Sequence, residues 1–195
     1  MTCLHYSNFS QAVGTAGLLD MHLFATERLI MDSSDPPLAR LLFSDGPAPD
    51  RADKMGLYGW LIGDWAMDAV IPMADGGTHT GRGEISFAWV LEGRAIQDVW
   101  TVPDFFYGTT LRVYDPAIDS WHILWGDPLM QYYNRQIGRS HGADIVQLGK
   151  SDDGTDTRWS FLEITADSFR WLGEVSTDGG ATWRLQAEFQ CRRKA

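Results

Sequence analysis

The chain has 195 residues, which is enough for one domain with a substantial hydrophobic core. Its net charge of −10 argues against nucleic-acid binding, because phosphate recognition needs a basic face. The 44% of hydrophobic and 22% of charged residues are typical of a globular protein, and no stretch reaches the roughly 18 apolar residues of a membrane span.

The first 50 residues are predicted to form a helical extension and a linker, separate from a domain that covers 51–195. Residues 13–31 carry apolar side chains at helical spacing, and a shorter helix is predicted over 38–43. The sequence Gly46-Pro47-Ala48-Pro49 is typical of a turn-rich linker. No basic segment precedes the first helix, so a signal peptide is not expected.

After Gly63 the apolar residues recur with a period of two, which predicts β-strands up to the end of the chain. Turn sequences such as Asp75-Gly76-Gly77 and Asp178-Gly179-Gly180 separate the segments. The predicted strands cover about 64–71, 84–91, 94–102, 108–115, 120–127, 131–139, 143–150, 157–165, 168–176 and 182–193. A meander of this length either closes into a barrel or splits into a sandwich, and closure is favoured because it removes exposed edges.

The last predicted strand has an apolar and a polar face. Its apolar face carries Trp183, Leu185, Ala187, Phe189 and Cys191, whereas the residues between them are polar. Because only one face of such a strand is buried, these apolar side chains are predicted to point into the core. Arg193 falls on the same face, at the end of the strand.

The sequence Gly63-Asp64-Trp65, between a short amphipathic helix and the first strand, resembles the G-x-W signature of the lipocalins and the wider calycin superfamily. In that superfamily the Trp closes one end of the barrel, and an Arg or Lys from the final strand packs across its indole. Arg193 is the matching residue here, and such a stack contributes roughly 0.5–2 kcal/mol. The resemblance implies a structural role for Gly63, Trp65 and Arg193, and it implies that any ligand lies towards the other end.

A wider resemblance covers roughly residues 40–195. The stretches FAWVLEGRAIQDVW, YGTTLRVYDPAIDSWHILW and RWSFLEITADSFRWLGEVSTDGGATWRL are similar to bacterial lipocalin-like domains of unknown function, typified by DUF1579. This resemblance brings no activity with it. It implies a mostly β, antiparallel, up-and-down lipocalin-like (calycin) barrel of about eight to ten strands with short N-terminal helices.

Residues 176–183 fit the Asp-box pattern S-x-D-x-G-x-T-W of sialidase propellers. A propeller repeats this box on several blades, and this chain has one copy and too few residues for a propeller. The segment is therefore predicted to be a structural hairpin turn.

No metal and no cofactor are expected. The five histidines show no HExxH or HxH spacing, and a CxxC motif is absent. Nitrobindins, which are calycin-like barrels, hold haem through a His near the C-terminus, and this chain has no His after His141. Cys3 and Cys191 are the only cysteines, so a disulfide framework is absent and a cytoplasmic, reducing location is expected.

Strand parity places several charged or polar side chains among apolar neighbours, which is the usual composition of a ligand site. The candidate polar contacts inside the barrel are Asp98, Asp127, Tyr133, Arg135 and Glu163. The candidate wall residues are Trp89, Trp100, Trp125 and Phe161. Two alternatives remain open: a bulge or a register shift turns each charge outwards, or two buried ions satisfy one another.

Three functions follow from these features. The leading hypothesis is binding of a small apolar or aromatic molecule in the barrel cavity. The second is a cofactor-free isomerase, lyase or hydratase that acts by proton transfer in the same cavity, for which two titratable groups must converge on the substrate. The third is an oligomeric interaction module, with a homodimer as one form, whose N-terminal helices cover a partner subunit.

Overall fold

The computed structural model of the chain describes residues 36–195, and the helix predicted over 13–31 lies outside them. Two α-helices, α1 (Pro37–Leu42) and α2 (Ala52–Gly59), and one 3-10 helix (Pro49–Arg51) precede the strands. The strands are β1 (Gly63–Pro72), β2 (Thr78–Val90), β3 (Ala95–Val102), β4 (Phe106–Asp115), β5 (Ser120–Asp127), β6 (Tyr132–His141), β7 (Asp144–Lys150), β8 (Asp156–Leu162), β9 (Ser168–Ser176) and β10 (Arg184–Arg193). Between residues 36 and 195, no helix is long and apolar enough to cross a membrane.

The ten strands form one closed antiparallel barrel, in which each strand pairs with its neighbours in the chain. The circle closes where β1 pairs with β10, with Trp65 opposite Arg193 and Val70 opposite Glu188. The prediction of a mostly β, up-and-down antiparallel barrel of eight to ten strands is confirmed. Closure pairs the backbone of the first and last strands, so the barrel has no open edge.

Alternation of side chains along each strand builds the interior. In β1 the buried residues are Trp65, Met67, Ala69 and Ile71, and the residues between them are exposed or half-buried. Because successive side chains of a strand point to opposite faces, the buried set lies inside the barrel.

Strand β2 differs most from its predicted bounds, since it starts at Thr78 and the predicted strand starts at 84. Residues 78–83 contain no large apolar side chain, so periodicity gives no signal there. They nevertheless pair with β1, from Thr78 opposite Pro72 to Gly83 opposite Met67. Backbone hydrogen bonding, which does not depend on the side chain, extends this strand.

Helix α2 fills one end of the barrel, the end at which β1 begins; we call it the closed end. Met55 and Tyr58 of α2 and the following Leu61 are completely buried. Trp65 donates a hydrogen bond from Nε1 to the carbonyl oxygen of Leu61 at 2.7 Å. The Trp65 ring packs edge-on against Phe169 with 4.9 Å between ring centres. This end is therefore packed with aromatic side chains.

Arg193 lies across the indole of Trp65, with the guanidinium carbon 4.1 Å from the ring centre. All three of its nitrogens donate to backbone carbonyl oxygens: Nη2 to Trp60 (2.6 Å), Nη1 to Ile62 (2.8 Å) and Nε to Ala166 (3.0 Å). The sequence-based prediction of an Arg193–Trp65 stack agrees with this geometry. The contacts tie the last strand to the segment between α2 and β1.

A bulge in β10 between Leu185 and Ala187 corrects the predicted orientation of two residues. Ala187 faces the interior as predicted, and the exposed Gln186 contributes to the lining of the cavity beside it. Leu185 instead pairs with Glu174, and Trp183 lies under the Arg158 guanidinium, 4.2 Å from the ring centre. An extra residue inverts the alternation on one side of a bulge, and the periodicity of the sequence does not reveal it.

The turn between β9 and β10 is held by Asp178, as predicted for a structural turn. Its carboxylate accepts hydrogen bonds from the Thr182 hydroxyl (2.6 Å), the Thr182 amide (2.9 Å) and the Ser176 hydroxyl (2.7 Å). These bonds, those from Thr182 above all, lower the pKa of Asp178 from its usual 3.8 to about 2. They favour the charged form of the carboxyl group.

We therefore expect NMR titration of the Asp178 carboxyl carbon to give a midpoint near pH 2. Because the folded-state pKa lies below the unfolded-state value, the turn contributes its full stability above about pH 4, and it loses that stability as the pH falls towards 2. In Thr182→Val the midpoint should rise towards 3.8, and an unchanged midpoint would show that the Thr182 hydroxyl does not cause the shift.

Candidate functional site

The barrel encloses a cavity of about 460 Å³ on the side of the interior away from α2. Its wall consists mainly of aromatic rings, namely Trp100, Phe105, Phe106, Trp125, Tyr132, Trp159, Trp171 and Phe189. Trp171 and Phe189 stack face to face with 4.8 Å between ring centres, and Trp125 meets Trp159 edge-on at 6.2 Å. Such rings offer flat, rigid, apolar surfaces to a ligand.

The cavity reaches the end of the barrel opposite α2, which we call the far end. Phe105 and Met130 line it from the turns that connect β3 to β4 and β5 to β6. Met130 is 57% exposed and the adjacent Leu129 is 61% exposed, so the surface around the opening is apolar.

An ion pair lies at the inner boundary of the cavity. Arg112 of β4 lines the cavity, and its Nη1 donates to Oδ2 of Asp98 on β3. The two residues are 2% and 1% exposed, and Oδ1 of Asp98 accepts a hydrogen bond from the Thr110 amide at 2.8 Å. A charge this deeply buried requires a partner, and each residue supplies one to the other.

Aromatic rings from the closed end surround the Arg112 guanidinium. Its central carbon lies 5.5 Å from the ring centre of Tyr58, 5.4 Å from that of Phe87 and 5.8 Å from that of Phe161. Burial lowers the pKa of Arg112 to about 10, which leaves the group protonated at neutral pH. The site therefore presents a permanent cation between an apolar core and an apolar cavity.

Polar side chains from β6, β7 and β8 continue this buried layer. Thr157 accepts hydrogen bonds at its hydroxyl oxygen from Asn134 (3.4 Å) and Gln136 (2.9 Å). Gln147 donates to the Tyr58 hydroxyl at 3.0 Å. All five residues are buried, so the layer is part of the interior.

Asp127 is the second carboxylate of the cavity wall and lies at the end of β5 nearest the far end. Its Oδ1 accepts the backbone amides of Leu129 (2.9 Å) and Met130 (3.0 Å), which holds the following turn. Among residues 36–195 it forms no ion pair. Asp127 therefore carries both a structural role and a charge at the cavity wall.

Six of the predicted candidates lie inside the barrel, in three places. Trp100, Trp125 and Asp127 line the cavity, and Asp98 holds Arg112 at its boundary. Phe161 belongs to the closed-end core, beneath the Arg112 guanidinium. Trp89 packs its ring against Gly59 of α2, so it also lies at the closed end and away from the cavity.

The other three candidates lie outside, and the structure corrects their predicted orientation. Tyr133 is 49% exposed and Arg135 is exposed beside His122, because β6 turns Asn134 and Gln136 inwards. Glu163 follows the end of β8 with a φ of +52°, and its exposed carboxylate lies 3.5 Å from Nη1 of Arg170.

The four charged groups that proton transfer would recruit do not converge. Arg135 and Glu163 lie outside the barrel, and the Asp98 carboxylate is taken up by Arg112 and the Thr110 amide. Within the described part of the chain, no cluster of His, Cys, Asp and Glu is arranged to hold a metal ion.

The sequence interpretation missed Arg112 and the polar layer next to it. In β4 the inward residues Thr110 and Arg112 alternate with the more apolar Leu111 and Val113, so a search for the apolar face selects the wrong side. A signal was present in β6, where Gly138 shares the face of the inward amides. A Cβ at Gly138 would lie 2.2 Å from the Tyr58 hydroxyl, so only glycine fits there.

No protein-family model matches the chain, and no curated protein is significantly similar to it. Among solved structures, the chain is similar to the crystal structure of Rv2717c from M. tuberculosis, with a TM-score of 0.52 and 13% sequence identity. The match covers 76% of this chain and 99% of that chain. At this identity the similarity concerns the fold alone.

Proposed function

We propose that the chain is a lipocalin-like barrel that binds a small, largely apolar or aromatic molecule in the cavity. The observation that carries this proposal is a cavity of about 460 Å³, walled by aromatic rings and reaching the far end of the barrel. Binding sites for small molecules are commonly apolar cavities of about 300–1,000 Å³ with a few polar groups.

The size of the cavity indicates the strength of binding to expect. A flat ligand of two fused rings that buries about 300 Å² of apolar surface gains roughly 7 kcal/mol. Association consumes part of this gain, since the ligand loses translational and rotational freedom. We therefore expect dissociation constants between about 1 µM and 1 mM for simple aromatic compounds.

A substitution that fills the cavity tests the proposal. Ala187 lines the cavity, whereas Ala66 of β1 points outwards, so Ala187→Phe and Ala66→Phe add the same side chain inside and outside. With the neutral fluorophore 1-aminoanthracene, wild type and Ala66→Phe should bind one equivalent. Ala187→Phe should bind at least about tenfold more weakly, because the added ring occupies space that the ligand needs. The measurement is dye fluorescence against protein concentration.

Equal binding by wild type and Ala187→Phe would place the dye outside the cavity and contradict the proposal. Circular dichroism and urea unfolding of both variants should show that they fold, which separates a filled cavity from a misfolded protein.

We also propose a reducing, cytoplasmic location. Cys191 is a free thiol buried inside the barrel, and burial raises its pKa. A buried thiol with a raised pKa is unreactive towards oxidants, and a cytoplasmic protein needs no disulfide.

A further inference from the structure

The polar groups of the cavity show which chemical class of ligand it fits. Of the three nitrogens of Arg112, Nη1 is bound to Asp98 and Nε is enclosed without a hydrogen-bond partner. Nη2 makes no hydrogen bond with the described residues and is not among the enclosed atoms, so it is the nitrogen open to the cavity. The guanidinium therefore offers a free N–H group at the inner end of the aromatic cavity.

A second N–H group without a partner belongs to the same wall. Nε1 of Trp100 has no hydrogen-bond partner among the described residues. Trp100 and Arg112 both contact the Phe87 ring, at 6.0 Å between ring centres and at 5.4 Å from the guanidinium carbon. The unpartnered side-chain nitrogens of these two wall residues are all donors, and the one open to the cavity, Nη2 of Arg112, calls for an acceptor on the ligand.

The charges of the wall determine what kind of acceptor fits. The charge of Arg112 is already balanced by Asp98, and Asp127 adds a negative charge that has no cationic partner among residues 36–195. Arg112, Asp98 and Asp127 together therefore carry a net charge of −1 in an apolar setting, which repels a carboxylate and disfavours its desolvation.

The geometry points to a flat, uncharged molecule with a carbonyl oxygen as the ligand class, its oxygen directed at Arg112 and its rings between the aromatic side chains. This inference rests on the proposed function, because it names the ligand of the same cavity. It explains why Arg112 lies at the inner end of an apolar cavity and why Asp98 neutralises its charge.

Three naphthalenes of nearly equal size test the inference on the wild-type protein: 2-acetylnaphthalene, 2-ethylnaphthalene and 2-naphthoate. Calorimetry at pH 7 should show that the ketone binds at least about tenfold more tightly than the hydrocarbon, since it gains a hydrogen bond from a charged donor. The carboxylate should bind at least about tenfold more weakly than the ketone, because its charge adds to that of Asp127.

Asp127→Asn removes the negative charge and keeps the shape of the side chain. The amide oxygen still accepts hydrogen bonds from the two backbone amides of the turn. This variant should bind 2-naphthoate about fivefold more tightly than wild type does, and the ketone within about twofold of wild type. Asp152→Asn removes the same charge from an exposed turn and should leave both affinities unchanged.

Three results of these measurements would overturn the inference, and one of them would also overturn the proposed function. Equal affinities for the ketone and the hydrocarbon would overturn the inference and leave the proposed function standing. Tighter binding of 2-naphthoate than of the ketone by wild type would overturn the uncharged class. Binding of none of the three compounds would overturn both the inference and the proposed function.

Discussion

Arg112→Met is expected to lower the free energy of unfolding by about 3–5 kcal/mol, because it leaves Asp98 buried with its charge unpaired. The side chain of Asp98 has no exposed surface, and after the substitution it keeps only the Thr110 amide as a hydrogen-bond donor. Methionine preserves the apolar stem of Arg112 and most of its contact with the surrounding rings, so the charge causes most of the loss. Urea unfolding at pH 7, followed by tryptophan fluorescence, measures it.

The double variant Asp98→Leu with Arg112→Met provides the control. It removes both charges and fills the space with apolar side chains, so we expect it to recover most of the stability that the single variant loses. A double variant less stable than Arg112→Met would show that the pair itself stabilises the fold. The isolated charge would then not explain the loss.

Arg193→Ala is expected to lower the free energy of unfolding by about 2–4 kcal/mol. Its guanidinium stacks on Trp65 and donates to the carbonyl oxygens of Trp60, Ile62 and Ala166. These carbonyls lie where the chain passes from α2 into β1 and from β8 into β9, so one side chain ties two segments of the closed end to β10. Arg193→Lys should recover only part of the loss, because an ammonium group lacks the planar fork that reaches all three acceptors.

The neighbouring Arg192 is the matched control for this prediction. It is exposed and forms an ion pair with Asp68 at 2.7 Å, and such surface pairs contribute about 0–1 kcal/mol. Arg192→Ala should therefore unfold close to the wild-type urea concentration, and Arg193→Ala well below it. If the two variants unfold at the same concentration, the stack on Trp65 does not hold the closed end.

The fold could be predicted from the sequence because an up-and-down barrel consists of local hairpins. Most strands are marked by a period of two, and most hairpins by a short turn that contains Gly or Asp, so little long-range information is needed to find them. The segments without these signals were placed less well. Residues 78–83 lack apolar side chains, and the bulge before Ala187 inverts a strand whose sequence alternates without interruption.

The candidate site was predicted only in part, because the barrel interior next to the aromatic cavity contains polar side chains. Asp98 and Asp127 were found because each shares a face with large apolar residues. Arg112 was missed because the outward-facing residues beside it in β4 are more apolar than the inward-facing ones. Its inward orientation depends on contacts with Asp98 of the adjacent strand β3 and with Tyr58 of α2. Glu163 was misplaced because its left-handed backbone follows from the turn, and glutamate gives no sign of such a conformation.

The pairing of β1 with β10 has a consequence for the synthesis of the chain. Trp65 pairs with Arg193 although nearly the whole barrel domain separates them in the sequence, so closure must wait until Arg193 has left the ribosome. Until then β1 and β9 present open edges, and the aromatic interior has no final strand to cover it. The growing chain is therefore exposed to aggregation until β10 has been synthesised, and a premature stop codon in β10 would leave a sheet that cannot close.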